Sequence, residues 1–325
     1  MAATPTTVPT SAGPARPAPA GYWQRLRSGD EAAYVITFMA AAGILAITGM
    51  LVLELYTNSA ASRSKFGWNF LFTSTWDPVN DQFGALPFIY GTVVTSFLAL
   101  LLGIPLGVGA AIFLAELAPP KISDGLTFLI ELLAAVPSVI YGLLGVFVLI
   151  PILRDIEPSL KAVLGWTPFF TGPFYGVSLF SAGVVLAVMI IPFIISISRE
   201  VILAVPNDQR EAALALGATR WESTWDIVVP YAKKGIMGSI FLALARSLGE
   251  TMAVTMVVGN DPKIKASLLA PGYSIAAVIA NEFTDATGKF HTSALIELGL
   301  VLFALTIVIN GMARLMIIGA DKYKA

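Results

Sequence analysis

Long apolar runs separated by short polar stretches fill most of the chain, and six of them are long enough to cross a bilayer as helices. A hydrocarbon core of ~30 Å needs about 20 apolar residues in helical form. Runs of that length lie at about Tyr34–Leu55, Phe88–Leu117, Leu126–Ile150, Val177–Ile197, Ile236–Val258 and Ala294–Ile318. The pattern predicts an all-α fold: a polytopic membrane helical bundle of about six transmembrane helices spread over residues 31–325. Pro105 in the second run and Pro137 in the third predict kinks, because proline lacks a backbone donor and collides with the preceding turn. Gly103, Gly107 and Gly109 beside Pro105 predict close helix contact.

Residues 1–30 have another character. Pro5, Pro9, Pro14, Pro17 and Pro19 stand among Ala, Thr and Ser, a composition that predicts a disordered segment. It lacks the basic start and immediate apolar stretch of a cleaved signal peptide. The balance of Lys and Arg orients the bundle. With the N-terminus inside, the inner flanks hold twelve basic residues and the outer flanks seven. Arg199, Arg210, Arg220, Lys233 and Lys234, between the fourth and fifth runs, decide that balance. Both termini are therefore expected in the cytoplasm, with the chain multi-pass in the plasma (inner) membrane and in contact with lipid. Trp68, Trp76, Trp166, Phe169, Phe170 and Tyr175 are expected to anchor the outer interface.

Composition narrows the chemistry. Of 325 residues, 56% are hydrophobic and 13% charged, against roughly 25% charged in soluble domains. The net charge of −1 gives no case for nucleic acid. With no Cys and one His, a disulfide framework, thiolate chemistry and a His-rich metal site are excluded. His291 reads as a polar loop residue. The Gly288–Lys289 pair is followed by Phe290, so the chain has no Walker A loop. Any ATP-derived energy must come from another polypeptide.

The loop from about 199 to 234 carries the strongest local signal. Asp208 followed by Glu211 predicts an N-cap with its partner three residues on. Ala212, Ala213, Leu214, Ala215 and Leu216 favour helix, and Gly217 suits its end. Thr219 and Glu222 form a second capping box, opening a short helix with Trp221 and Trp225 on one face and Pro230 at or near its end. Small alanines and paired tryptophans describe a docking element. Deeper in the chain, Arg246 is placed about 15 Å into the fifth run, with Glu250 one turn later. A lone Arg at the centre of a membrane helix costs at least ~2.5–3.5 kcal/mol, so the two are expected to face the interior or a cavity. The pair reads either as a structural salt bridge or as an anion site with Arg246 as the fork and Glu250 as its support. Thr251, with Thr92, Thr95, Ser96, Ser138 and Thr255, could line a path, although such hydroxyls more often bond their own helix backbone. Glu116 and Glu131 fall at the ends of runs, near water.

The spacing of Glu211, Ala212, Ala213, Gly217, Ile227 and Pro230 resembles the EAA loop of ABC importer permeases, with Val229 in place of the usual Leu. The stretches Phe83–Thr92, Glu131–Gly142, Ala243–Asn260 and Ala270–Phe283 are similar to the PstC-type permease subunits of bacterial phosphate importers, a resemblance running from about Gly67 to the last span. It implies a type I ABC importer permease (MetI-like) fold that moves inorganic phosphate by alternating access and is not itself an enzyme. It implies no catalytic residue, metal or cofactor on this chain, with ATP and Mg held by a partner. The implied partners are a second, homologous permease, two ATPase subunits gripped by the loop, an extracytoplasmic phosphate-binding protein and a phosphate-signalling regulator. Residues alone leave open a gradient-driven secondary anion transporter, a sensory subunit, and sulfate or molybdate as cargo.

Overall fold

The computed structural model describes the backbone of residues 30–322 and the side chains of 33–315. The expected disordered segment 1–30 lies outside the described residues, except for its last residue. Two compact units divide between Glu54 and Leu55. The first holds most of helix α1 (Asp30–Asn58). The second contains the rest of the chain. Among the described residues every regular element is a helix, and the connecting loops hold two isolated bridges, Asp77 with Gln82 and Gly259 with Gly272.

Six helices among the described residues are long and apolar enough to cross a membrane, which bears out the all-α, six-span expectation. In the second unit, α2 (Leu86–Leu117) and α5 (Leu179–Leu203) form the central pair. Their register comes from glycines. A Cβ on Gly183 would lie 2.5 Å from Leu98, one on Gly107 2.8 Å from Ile194, and one on Gly103 3.0 Å from Ile190. Both numbers rise together, so the two helices run parallel. Helix α2 is continuous through Pro105. Helix α7 (Arg220–Leu248) runs antiparallel to α5: Ser198 and Ser239 hydroxyls meet at 2.7 Å, and Gly235 faces Val201. Buried aliphatic residues of these helices, Leu186, Ile190, Ile194 and Ala243 among them, form one core.

The third crossing departs from expectation. Pro137 does not kink a helix over 126–150. The chain stops at α3 (Pro120–Ala134), turns through Ala135–Pro137, and restarts as α4 (Ser138–Leu164). Proline supplies no N–H to the turn before it and pushes Val136 away from helical geometry. Tyr141 bridges the gap by donating to the Leu133 carbonyl at 2.6 Å. Length and composition alone mark Ser138–Leu164 as the candidate span, but packing assigns depth differently. Ser123 donates to the Leu114 carbonyl at the far end of α2 (2.8 Å). Gly145 meets Val185 in the first turns of α5, and Gly176 sits against Ile150 and Arg154. The crossing therefore runs from Ser123 to Ile150, interrupted at Pro137. The remainder of α4, with Arg154, Asp155, Glu157 and Lys161, extends past it.

The fifth crossing is also broken. Helix α7 ends at Leu248, residues 249–251 are non-helical, and α8 (Met252–Val257) resumes. Gly249 weakens the helix by roughly 1 kcal/mol. The Glu250 carboxylate accepts from the Ala253 N–H (3.2 Å), a local bond that competes with helical continuation. A second core, of Phe70, Phe83, Phe88, Tyr273 and Leu295, joins the start of α2 to α9 (Ile275–Glu282) and α10 (Lys289–Lys322).

Candidate functional site

The loop between α5 and α7 folds as helix, glycine turn, helix. Helix α6 (Asn207–Ala215) begins directly after Pro206. Asp208 is thus in the first turn and not the N-cap, a place where its charge still favours the helix dipole. The helix closes with a Schellman motif: the Ala218 N–H reaches the Ala213 carbonyl (3.1 Å) and the Gly217 N–H that of Leu214 (3.0 Å). This needs the left-handed backbone that Gly217 adopts, φ 90°. The Thr219–Glu222 capping box forms in full. It does not open a separate short helix. Residues 223–228 are a π turn that runs on into α7, and Pro230 falls in the first turn after it. The wider π turn absorbs the hydrogen bond that proline cannot donate, so Pro230 ends nothing.

Helix α6 packs on this π turn. Ala213 is buried, whereas Glu211, Ala212, Gly217 and Pro230 are exposed and Ile227 is half-buried. Trp221 and Trp225 share a face with ring centroids 5.5 Å apart. They stand 57% and 44% exposed and Leu216 90%, an apolar surface that no described residue covers.

The loop is tied to the bundle by a contact that sequence reasoning missed. Arg210 on α6 forks onto Glu116, 94 positions away, with Nη2 and Nε at 2.7 and 3.1 Å from Oε1. Glu116 belongs to the π turn Phe113–Leu117 that finishes α2. The same guanidinium donates to the carbonyls of Ile202 and Val205 and to Asn207 Oδ1. All five of its N–H groups have acceptors. Nothing local in the sequence marks the pair. The available hint was Glu116 itself, a carboxylate closing an apolar run with no basic residue within a helical turn.

Arg246 and Glu250 are not brought together. No ion pair joins them among the described residues, and the break after Leu248 removes the shared helical face on which that pairing depended. Extending the α5/α7 register from Ser198–Ser239 brings Arg246 level with about Ile191, and its guanidinium lies 5.8 Å from the ring of Phe193. Phe193 is about ten residues, roughly 15 Å, from the end of α5. The side chain is exposed on the surface of this chain and so does not face the chain's own interior. Glu250 and Thr251 sit in the non-helical break beside it. Thr92, Thr95 and Thr255 bond to backbone carbonyls of their own helices. Thr92 also accepts from the Ile275 N–H (2.9 Å), tying α9 to α2.

At the opposite end, two residues differ from their expected roles. Trp76 packs between Phe83 and Phe88 and donates to Glu282 (2.9 Å), so it belongs to a core and not to an interfacial belt. Trp68 and Trp166 are over 80% exposed, as an anchor requires. His291 opens α10, stacks on Phe83 and meets Glu282 at 3.1 Å, which is no free loop position. Burial pushes the Tyr273 hydroxyl up. The side-chain and backbone bonds from Asn80 hold Asp77 below the usual carboxylate range.

Comparison with known proteins adds to this geometry. Residues 103–317 match the family described as binding-protein-dependent transport system inner membrane component. A protein of Mesorhizobium japonicum named phosphate transport system permease protein PstC is 45% identical over 90% of this chain and 91% of its own length. One of the same name from Pasteurella multocida is 45% identical, covering 86% and 88%. A probable PstC from Methanocaldococcus jannaschii is 35% identical, covering 88% and 92%. Among solved structures, a chain of a bacterial ABC transporter involved in alginate import superposes with a TM-score of 0.51 over 90% of this chain and 98% of that one, at 15% identity. That likeness speaks for the fold.

Proposed function

We propose, since the chain belongs to the family of binding-protein-dependent transport system inner membrane components, that it is a permease subunit of an ATP-driven phosphate importer. The substrate class comes from the PstC relatives. The chain moves solute and makes or breaks no covalent bond.

The observation that carries the reading is the displayed helix–glycine–helix of residues 207–228. Its buried side is fixed to the bundle, while Leu216, Trp221 and Trp225 are left for a partner. The loop docks on a cytoplasmic ATPase subunit, which binds ATP and Mg, and both chain termini lie on that same side. A second permease packs beside this chain. Their shared cavity meets Arg246, because a mid-depth guanidinium on an exposed face requires water or protein and not lipid. Its planar fork suits a tetrahedral oxyanion. Glu250 and Thr251 lie at a helix break of the kind that lines transport cavities. An extracytoplasmic phosphate-binding protein delivers the cargo.

The test is reconstitution of the chain with its partner permease, ATPase subunits and binding protein. Gly217→Pro or Trp221→Ala should cut ATP-dependent phosphate uptake severalfold or more. Unchanged uptake in both, or phosphate uptake by the chain alone under an ion gradient, rejects the reading.

A further inference from the structure

We infer that Arg210 and Glu116 form a positioning pair that passes displacement of α6 into the end of α2, so that loop and span move together. This rests on the proposed docking of the 199–234 loop to an ATPase. The pair has the properties of a joint and not of a surface contact. Its side chains are 18% and 11% exposed, and the contact is two-pronged, which fixes orientation as well as distance. Exposed ion pairs hold little, but a shielded one in which every donor is matched resists opening, because any partial rupture strands a charge.

The joint ties three elements at once: α6 through Arg210 itself, the last turn of α5 and the residues after it through the Ile202 and Val205 carbonyls, and α2 through Glu116. On α2 the contact lands on the π turn Phe113–Leu117. A π turn is a stretch of helix that can revert to the tighter α form by shifting one residue of register, which gives the two arrangements that transmission of motion requires. The neighbouring π turn 223–228, against which α6 packs, supplies a second such stretch on α7. A push on α6 therefore reaches two spans through two adjustable turns, and among the described residues the α2 route is the one that runs through an ion pair.

The experiment is phosphate imported per ATP hydrolysed by the full reconstituted complex, with Glu116→Gln and Arg210→Lys. Glutamine keeps the shape and loses the charge. Lysine keeps the charge but has three donors for five acceptor contacts. The subunits should still copurify and hydrolyse ATP. Import per ATP should fall on the order of tenfold in Glu116→Gln, inside the ~5–150-fold span of coupling between sites, with a smaller fall of about threefold in Arg210→Lys. An unchanged ratio in both variants overturns the inference, as does loss of assembly in both with a normal ratio in whatever complex survives, since that is the mark of a staple. If the unaltered chain fails to hold the ATPase subunits, the docking reading has failed, and the joint has nothing to transmit.

Discussion

Two arginines of the same chain are treated in opposite ways. Arg210 is mostly buried, and every one of its N–H groups is spoken for. Arg246 is exposed, with its guanidinium over the Phe193 ring and without a carboxylate partner among the described residues. The first belongs to the mechanics of the fold. On the proposed reading, the second serves something outside the chain. Burial of a charge is tolerated when its geometry is complete. Exposure of a charge at membrane depth is tolerated when function supplies its surroundings.

The contrast yields an ordered set of tests. Arg246→Gln should lower phosphate uptake by about 100-fold, the scale of removing one partner of a desolvated charge pair, while thermal unfolding of the purified chain hardly moves. A large loss of stability would place Arg246 with Arg210. Arg210→Ala should do the reverse at the level of the fold, destabilising by about 3 kcal/mol through the stranded Glu116, read by thermal or denaturant unfolding in detergent. A double-mutant cycle of Arg210 with Glu116 should then give coupling of about 1.5 kcal/mol or more, and one of Arg246 with Glu250 less than about 0.5 kcal/mol. Coupling of Arg246 to Glu250 equal to the first would restore the ion pair that the sequence suggested. Gly217→Ala should cost about 1 kcal/mol, all of it backbone strain, since a Cβ there meets nothing within 4 Å. Thr219→Ala should cost a similar or smaller amount through the lost cap, and neither should disturb the Arg210–Glu116 cycle.

These two arginines also mark where sequence reading succeeds. Hydropathy runs located the six spans. The capping box at Thr219 and the turn at Gly217 were legible because their chemistry is contained in a few adjacent residues. The Arg210–Glu116 fork was not, because 94 residues separate the partners and neither has a local signature. Breaks within spans were misjudged for a different reason. Pro137 and Pro230 look alike in sequence, but a π turn accommodates the second and nothing accommodates the first. Gly249 and Glu250 end α7 through a competition between local bonds that apolar periodicity does not register.

The parallel pair α2 and α5 interlocks at three successive points, Leu98 with Gly183, Gly103 with Ile190 and Gly107 with Ile194. Meshed in this way, like teeth of two racks, the helices cannot slide lengthwise past each other without clash at every notch. In the cycle proposed for this chain, that pair therefore moves as one stiff beam. Whatever opens and shuts lies at its flanks, where α3–α4 and α7–α8 are already cut in two.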